Sequence, residues 1–224
     1  MSDVLRTFLM DFTVNVFESI AGFSLILSLF RFSFNKNNFI NTIIASVVLA
    51  ITSYLLRFPL EEPTITSFFM LAWIIIFLWR LFRIHIFYSA LMAVTGYMTY
   101  ITIQDVVVMV ASAIYGLDRL FGNFMFLKAI QIIASVVSLL SYFYLTRKRI
   151  GFTFVPDRTD MRVVFDRVHL MLLFITIASA VVICFISFVA VYATYLFPLL
   201  TVTFLVLLNY LNYSYENMKR EKSV

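Results

Sequence analysis

The sequence predicts an all-α integral membrane protein, a polytopic bundle of about seven transmembrane helices with its N-terminus outside and its C-terminus in the cytoplasm. Three observations carry this reading. Of 224 residues, 62% are hydrophobic and 13% charged, with mean hydropathy +0.98, whereas soluble domains hold roughly 45 to 50% apolar residues. Apolar runs near the length of about 20 residues needed to span a bilayer recur from end to end. The basic residues gather in short segments between alternate runs, as topology determinants do. A water-soluble domain is excluded at this composition. One transmembrane domain is expected over residues 1–215, followed by a short cytoplasmic tail, 216–224.

The first run, residues 12–32, contains Glu18 and closes on a polar turn at 35–38. The second, 39–56, stops at Arg57 and the sequence FPLEEPT, where Pro59 and Pro63 fix φ and remove amide donors. The third, 65–81, carries Trp73 and Trp79, and Trp79 beside Arg80 and Arg83 reads as an interfacial anchor. The fourth, 84–115, is interrupted only by Gln104 and Asp105. At 1.5 Å per residue it would reach roughly 48 Å, against a hydrocarbon core of about 30 Å. Either it tilts and projects, or it breaks near Gln104, and the sequence leaves both open. A fifth run covers 124–145. The longest polar segment, 147–167, follows, in which MRVVFDRV could form a short surface helix. The last runs, 170–191 and 195–213, meet at a turn near Ala193 short enough to force an antiparallel hairpin.

Orientation follows from Lys and Arg. With seven crossings, Arg31 and Lys36, Arg80 and Arg83, the six cations Arg147, Lys148, Arg149, Arg158, Arg162 and Arg167, and the tail cations Lys219, Arg220 and Lys222 all fall on one side, the cytoplasm. The opposite side receives the N-terminus, the Glu61 and Glu62 turn, Asp118 with Arg119, and the turn near Ala193. The N-terminal MSDVLRTFLMDF mixes Asp3, Arg6 and Asp11 without a basic region or small-residue cleavage site, so no removable signal peptide is expected. The localisation expected is the cell membrane, and the first partner is the lipid bilayer.

Composition also narrows the chemistry. Cys184 is the sole cysteine and lies in an apolar run, and His85 and His169 are the two histidines, so no disulfide, metal site or cofactor is expected. Catalytic motifs such as GxSxG, HExxH, CxxC and the P-loop are absent from the sequence, and a non-enzymatic role is expected. The net charge of +5 resides in loops rather than along one face, so nucleic acid is not an expected partner.

Ionisable groups inside a span are costly, and their default reading is functional. Glu18, Arg57, Asp105 and Lys128 fall at similar depth toward the outer leaflet once the topology is drawn, with Gln104 and Gln131 near them. Together they could form a vestibule open to the outside that holds a ligand with both charge signs, or a peptide. In the plainer reading Glu18 with Arg57 and Asp105 with Lys128 are ion pairs that orient helices, and Lys128 snorkels to the interface. A proton or sodium pathway would use Glu18 or Asp105. Ala21 with Ser24 and Ser28, Ser89 with Ala93 and Gly96, and Ala134 with Ser138 and Ser141 permit close helix approach. The cations of 147–167 could also bind anionic headgroups or a partner protein.

Seven helices, an outside N-terminus, an acid early in helix one within FESIAGFSLILSLFRF and a glutamine at the outer end of helix four in YMTYITIQ are together similar to a known receptor type. The chain resembles the membrane-embedded sensor half of Gram-positive peptide-sensing histidine kinases of the accessory gene regulator C type. The resemblance is one of layout over most of the chain, to about Tyr215. It implies recognition of a small extracellular peptide or amphiphile near Glu18, Arg57, Gln104 and Asp105, with the last helix passing the signal inward. Such kinases continue into a phosphoacceptor helix and an ATP-binding domain, whereas this sequence ends about ten residues after its last run. The expectation is a stand-alone sensor, an accessory subunit or a truncated chain, signalling to a kinase or ATPase at the cytoplasmic face. The alternative is a small transporter or substrate-binding transport subunit.

Overall fold

A computed structural model describes residues 2–32, 35–57, 63–116, 122–155, 170, 172–181 and 196–221. Glu61, Glu62, Asp118, Arg119, Arg158, Arg162, Arg167, His169, Cys184, Ala193, Lys222 and the segment 161–168 lie outside the described residues. Those described are helical apart from short connections. They form α1 (Ser2–Leu29), α2 (Lys36–Arg57), α3 (Pro63–Arg80), α4 (Ile86–Tyr115), α5 (Phe124–Lys148), α6 (Leu172–Val181) and α7 (Leu196–Glu221). Four helices are long and apolar enough to cross a membrane: α1 over Phe8–Leu29, α2, α4 and α5.

Helix ends follow from local chemistry. Pro63 opens α3 at the first helical position, where an amide donor is not needed. His85 caps α4, its Nδ1 accepting from the Phe87 amide at 3.3 Å. Asn123 does the same for α5 through Met125 at 2.9 Å. Arg149 closes α5 in the left-handed conformation, its amide donating to Leu145 and Thr146.

The helix limits differ from the hydropathy reading most at the two ends of the chain, where α7 runs on to Glu221, eight residues past the last apolar run. The first helix begins at Ser2, ten residues before the apolar run, because backbone hydrogen bonding sets helix limits and Leu5, Arg6, Leu9 and Met10 are good helix formers. The long fourth run is one continuous helix of 30 residues through Gln104 and Asp105, about 45 Å long. The open choice between a break and a projecting helix is therefore resolved as continuity.

In the packing, α1 touches α2, α4 and α5, α3 fills the space beside α2 and α4, and α7 lies against α4. Small residues sit where helices cross: Ala21, Ser24 and Ser28 on α1, Ser89 and Ala93 on α4, and Ala134 and Ser138 on α5 are all buried. Gly96 marks the tightest crossing, since a Cβ there would collide with the side chain of Ile26 and approach its Cα to 3.2 Å. Gly96→Ala is accordingly expected to lower the melting temperature in detergent. An overpacking cost of about 1–3 kcal/mol exceeds the roughly 1 kcal/mol that alanine gains in helix propensity. An unchanged or raised melting temperature would show that α1 yields freely.

Large apolar residues point outward along the C-terminal half of α4 (Val106, Met109, Val110 and Ile114) and along α5 (Ile132, Ile133, Val136, Leu140 and Phe143). A face of that kind is what hydrocarbon solvates. At the opposite, basic end the turn after α5 is pressed into the bundle. Gly151, at φ 150°, lies so close to α1 that a Cβ would meet the Leu29 carbonyl oxygen at 2.7 Å. The next amide, of Phe152, donates to that oxygen at 2.8 Å. Phe154 then enters the core, 1% exposed, against Phe30, Tyr88, Phe152 and Tyr215. Arg80 stacks over the Trp79 ring at 4.1 Å.

Candidate functional site

One face of α1 carries the polar chemistry. Asp11, Asn15, Glu18 and Gly22 are spaced i, i+4, i+7 and i+11, which puts them in a single stripe down the helix. Asn15 Nδ2 donates to Asp11 Oδ2 at 2.8 Å. The other Asp11 oxygen pairs with Lys128 Nζ of α5 at 2.5 Å, with both side chains buried. Lys128 also donates to Gln131 Oε1 at 2.8 Å and lies 5.3 Å from the Phe124 ring centre. A buried ion pair repays its desolvation only when further hydrogen bonds satisfy both partners; Asn15 and Gln131 supply them here.

Seven residues further along α1, about 10 Å deeper, Glu18 is half-buried and lies near the Tyr100 hydroxyl of α4. That hydroxyl also lies 3.4 Å from Ser135 Oγ of α5. Arg57, at the exposed end of α2, interacts with Glu18 electrostatically, without a direct salt bridge between them among the described residues.

Glu18 and Arg57 share a cavity of about 80 Å³ enclosed by α1, α2, α3 and α4. Asn15, Ser53, Tyr97 and Tyr100 add polar groups to its wall, and Phe23, Ile26, Leu49, Met70 and Ile74 form the apolar part. Ser53 is 1% exposed and its hydroxyl has no hydrogen-bond partner among the described residues. Leaving such a group unsatisfied costs about 1–3 kcal/mol, so the cavity wall holds a hydroxyl that a bound group or water would satisfy. As a water needs at least roughly 10–15 Å³ measured this way, the cavity holds several waters or one compact polar group. It does not hold a whole peptide.

The six residues placed in one outer layer from sequence therefore divide. Glu18 and Arg57 line the cavity. Lys128 and Gln131 do not line it; Lys128 binds Asp11, two turns from Glu18 on the same stripe of α1, so it does not pair with Asp105, and buried there it does not snorkel. Asp105 accepts a hydrogen bond from the Thr201 hydroxyl of α7 at 3.1 Å. Gln104 is partly buried and has no side-chain partner among the described residues. Depth along a helix carries no azimuth: at about 100° per residue, Asp105 lies about 140° around α4 from Tyr100, which turns it to α7.

Several residues escaped the sequence reading. Asp11 and Asn15 were detectable from their helical spacing to Glu18, but the first apolar run begins just after Asp11. Tyr100 is one of 12 tyrosines and carries no distinguishing signal, and Ser53 resembles any small residue of a span. Compared with protein-family models, with curated proteins and with solved structures, the chain matches none of them.

Proposed function

We propose that the protein is a non-enzymatic, multi-pass sensor or accessory subunit of the cell membrane that takes the polar group of a small extracellular peptide or amphiphile into the cavity between α1 and α4. Seven spans, an outside N-terminus and a cytoplasmic C-terminus belong to this reading. It rests on one observation above others: a polar cavity whose wall holds the buried, unpartnered Ser53 hydroxyl together with Glu18 and Arg57. A carboxylate flanked by Tyr100 and Asn15 suits an ammonium or amide donor, and a guanidinium at the rim suits a carboxylate or carbonyl. The volume admits a terminus or one side chain of a peptide, whose remainder would stay at the outer surface.

A route inward runs through α4. Its Tyr97 and Tyr100 line the cavity, while Asp105 bonds Thr201 and Thr95 accepts from Asn212 Nδ2 at 3.4 Å, both on α7. Further along α7, Glu216 accepts from Thr153 at 2.7 Å. Displacement of α4 would thus be felt by α7 and by the turn after α5, the surfaces offered to a kinase or ATPase partner.

Binding of a labelled short amphiphilic peptide to the protein in nanodiscs tests this. Glu18→Gln is expected to weaken binding about tenfold or more, since a hydrogen bond to a charged group contributes about 1.5–3 kcal/mol, with the melting temperature preserved. Wild-type affinity in both Glu18→Gln and Arg57→Gln would remove the cavity as the site. The solute-sized cavity also favours a second reading, a small transporter or substrate-binding transport subunit. Uptake of a labelled solute into proteoliposomes decides it, a flat time course with and without an ion gradient counting against transport.

A further inference from the structure

At the basic end of the bundle, remote from Glu18, the C-terminal ends of α1 and α5 enclose a second pocket of about 310 Å³. Arg31 and Arg149 both line it, with Tyr142 and Thr146, and no carboxylate is among its described lining residues. The two arginines come from segments 118 residues apart and are tied together, the Arg31 guanidinium donating to the Arg149 carbonyl. That bond uses one of five guanidinium donors. Each arginine also sits at a left-handed turn closing a helix, φ 55° and 52°. Two arginines on one pocket wall, with no carboxylate among its described lining residues, form a site for a dianion or a phosphodiester, which arginine recognises through paired N–H donors.

Leu145 lines this pocket and also a second depression, an open groove of about 510 Å³. The groove is apolar, formed by Leu25 and Leu29 of α1, Ile103 of α4, and Val137 and Leu140 of α5. From Leu145 to Val137 it extends about 12 Å along the helix axis, beside the outward apolar face of α5. A pocket with two arginines that shares a wall residue with an apolar groove matches the two halves of one molecule.

We propose that the α1–α5 seam is a binding site for an anionic phospholipid, its phosphate between Arg31 and Arg149 and one acyl chain in the groove bounded by Leu29, Ile103, Val137, Leu140 and Leu145. The site is independent of the α1–α4 cavity and of any ligand bound there. A bound lipid would clamp the ends of α1 and α5, the same region in which the turn carrying Phe154 is anchored.

Melting temperature and lipid retention on native mass spectra, measured on detergent-purified full-length protein, test the assignment. Phosphatidylglycerol is expected to raise the melting temperature in a concentration-dependent way, as any ligand of the folded state does, and to survive as a one-to-one adduct. Phosphatidylcholine and glycerol 3-phosphate at equal concentration are expected to do neither. Arg149→Gln leaves the carbonyl that accepts from Arg31 in place, so it tests the charge without removing that tie, and an affinity loss of about tenfold is expected. Lys148→Gln, outside the pocket, is expected to change nothing. Val137→Trp fills the groove and is expected to weaken lipid binding comparably. Equal binding of phosphatidylcholine, or wild-type affinity in Arg149→Gln, would overturn the proposal. Glycerol 3-phosphate binding as tightly as the lipid would overturn the acyl half and identify a site for soluble phosphate esters.

Discussion

Lys128→Met is expected to destabilise the folded protein by about 3–5 kcal/mol, the scale seen when one partner of a buried ion pair is removed. The Asp11 carboxylate, 2% exposed, would be left with Asn15 as its remaining hydrogen-bond donor. Neither burial nor polarity alone produces this cost; it comes from an anion whose cation has been taken away in a place water does not reach. The double variant Asp11→Asn with Lys128→Met removes both charges and is expected to regain most of the loss, because an apolar or neutral replacement of a buried pair is often nearly neutral. Unfolding free energies of the wild type, both single variants and the double, in one detergent, give the coupling directly. A loss below about 1 kcal/mol in Lys128→Met would mean that water solvates the pair, and that α1 and α5 are held by small-residue packing alone.

Phe154→Ala is expected to be nearly as damaging, at about 3–5 kcal/mol for truncating a fully buried aromatic ring. Phe154 stands edge-on to Tyr215 at 4.9 Å, with Phe30 at 6.0 Å and Tyr88 at 6.4 Å. Its ring thereby joins α1, α4 and α7 at the basic end. Losing it would open a cavity and release the turn 150–155, so cleavage near Gly151 by an added protease should accelerate along with thermal unfolding. Phe154→Leu, which keeps most of the apolar volume, is expected to lose less. If Phe154→Ala unfolds at the wild-type temperature with unaltered proteolysis, the turn is not an anchored part of the fold.

Both predictions concern residues that a hydropathy reading passes over, for different reasons. Asp11 falls just before the first apolar run, although its spacing to Asn15 and Glu18 already puts three polar groups on one helical face. Phe154 lies in the polar segment after Arg149, where neither periodicity nor composition separates a ring that enters the core from one that meets solvent. Glu18 and Arg57 were identifiable because an ionisable group in or beside an apolar run stands out. Their neighbours in the cavity wall were not, because Tyr100 and Ser53 differ in nothing local from residues that merely pack.

By itself the sequence determined that the chain is helical with runs apolar enough to cross a bilayer, where its principal helices lie to within about a turn, apart from the start of α1 and the end of α7, and most of the small residues at helix crossings. These are consequences of local composition and of the 3.6-residue period, and need no knowledge of neighbours. The tertiary structure decided everything that depends on rotation about a helix axis. It turned Asp105 to Thr201, Lys128 to Asp11, and Glu18 to Tyr100 and the cavity, carried α4 unbroken past Gln104, and brought Arg31 beside Arg149 across 118 residues. Depth is a linear function of residue number, whereas azimuth acquires meaning only when a second helix packs against the first.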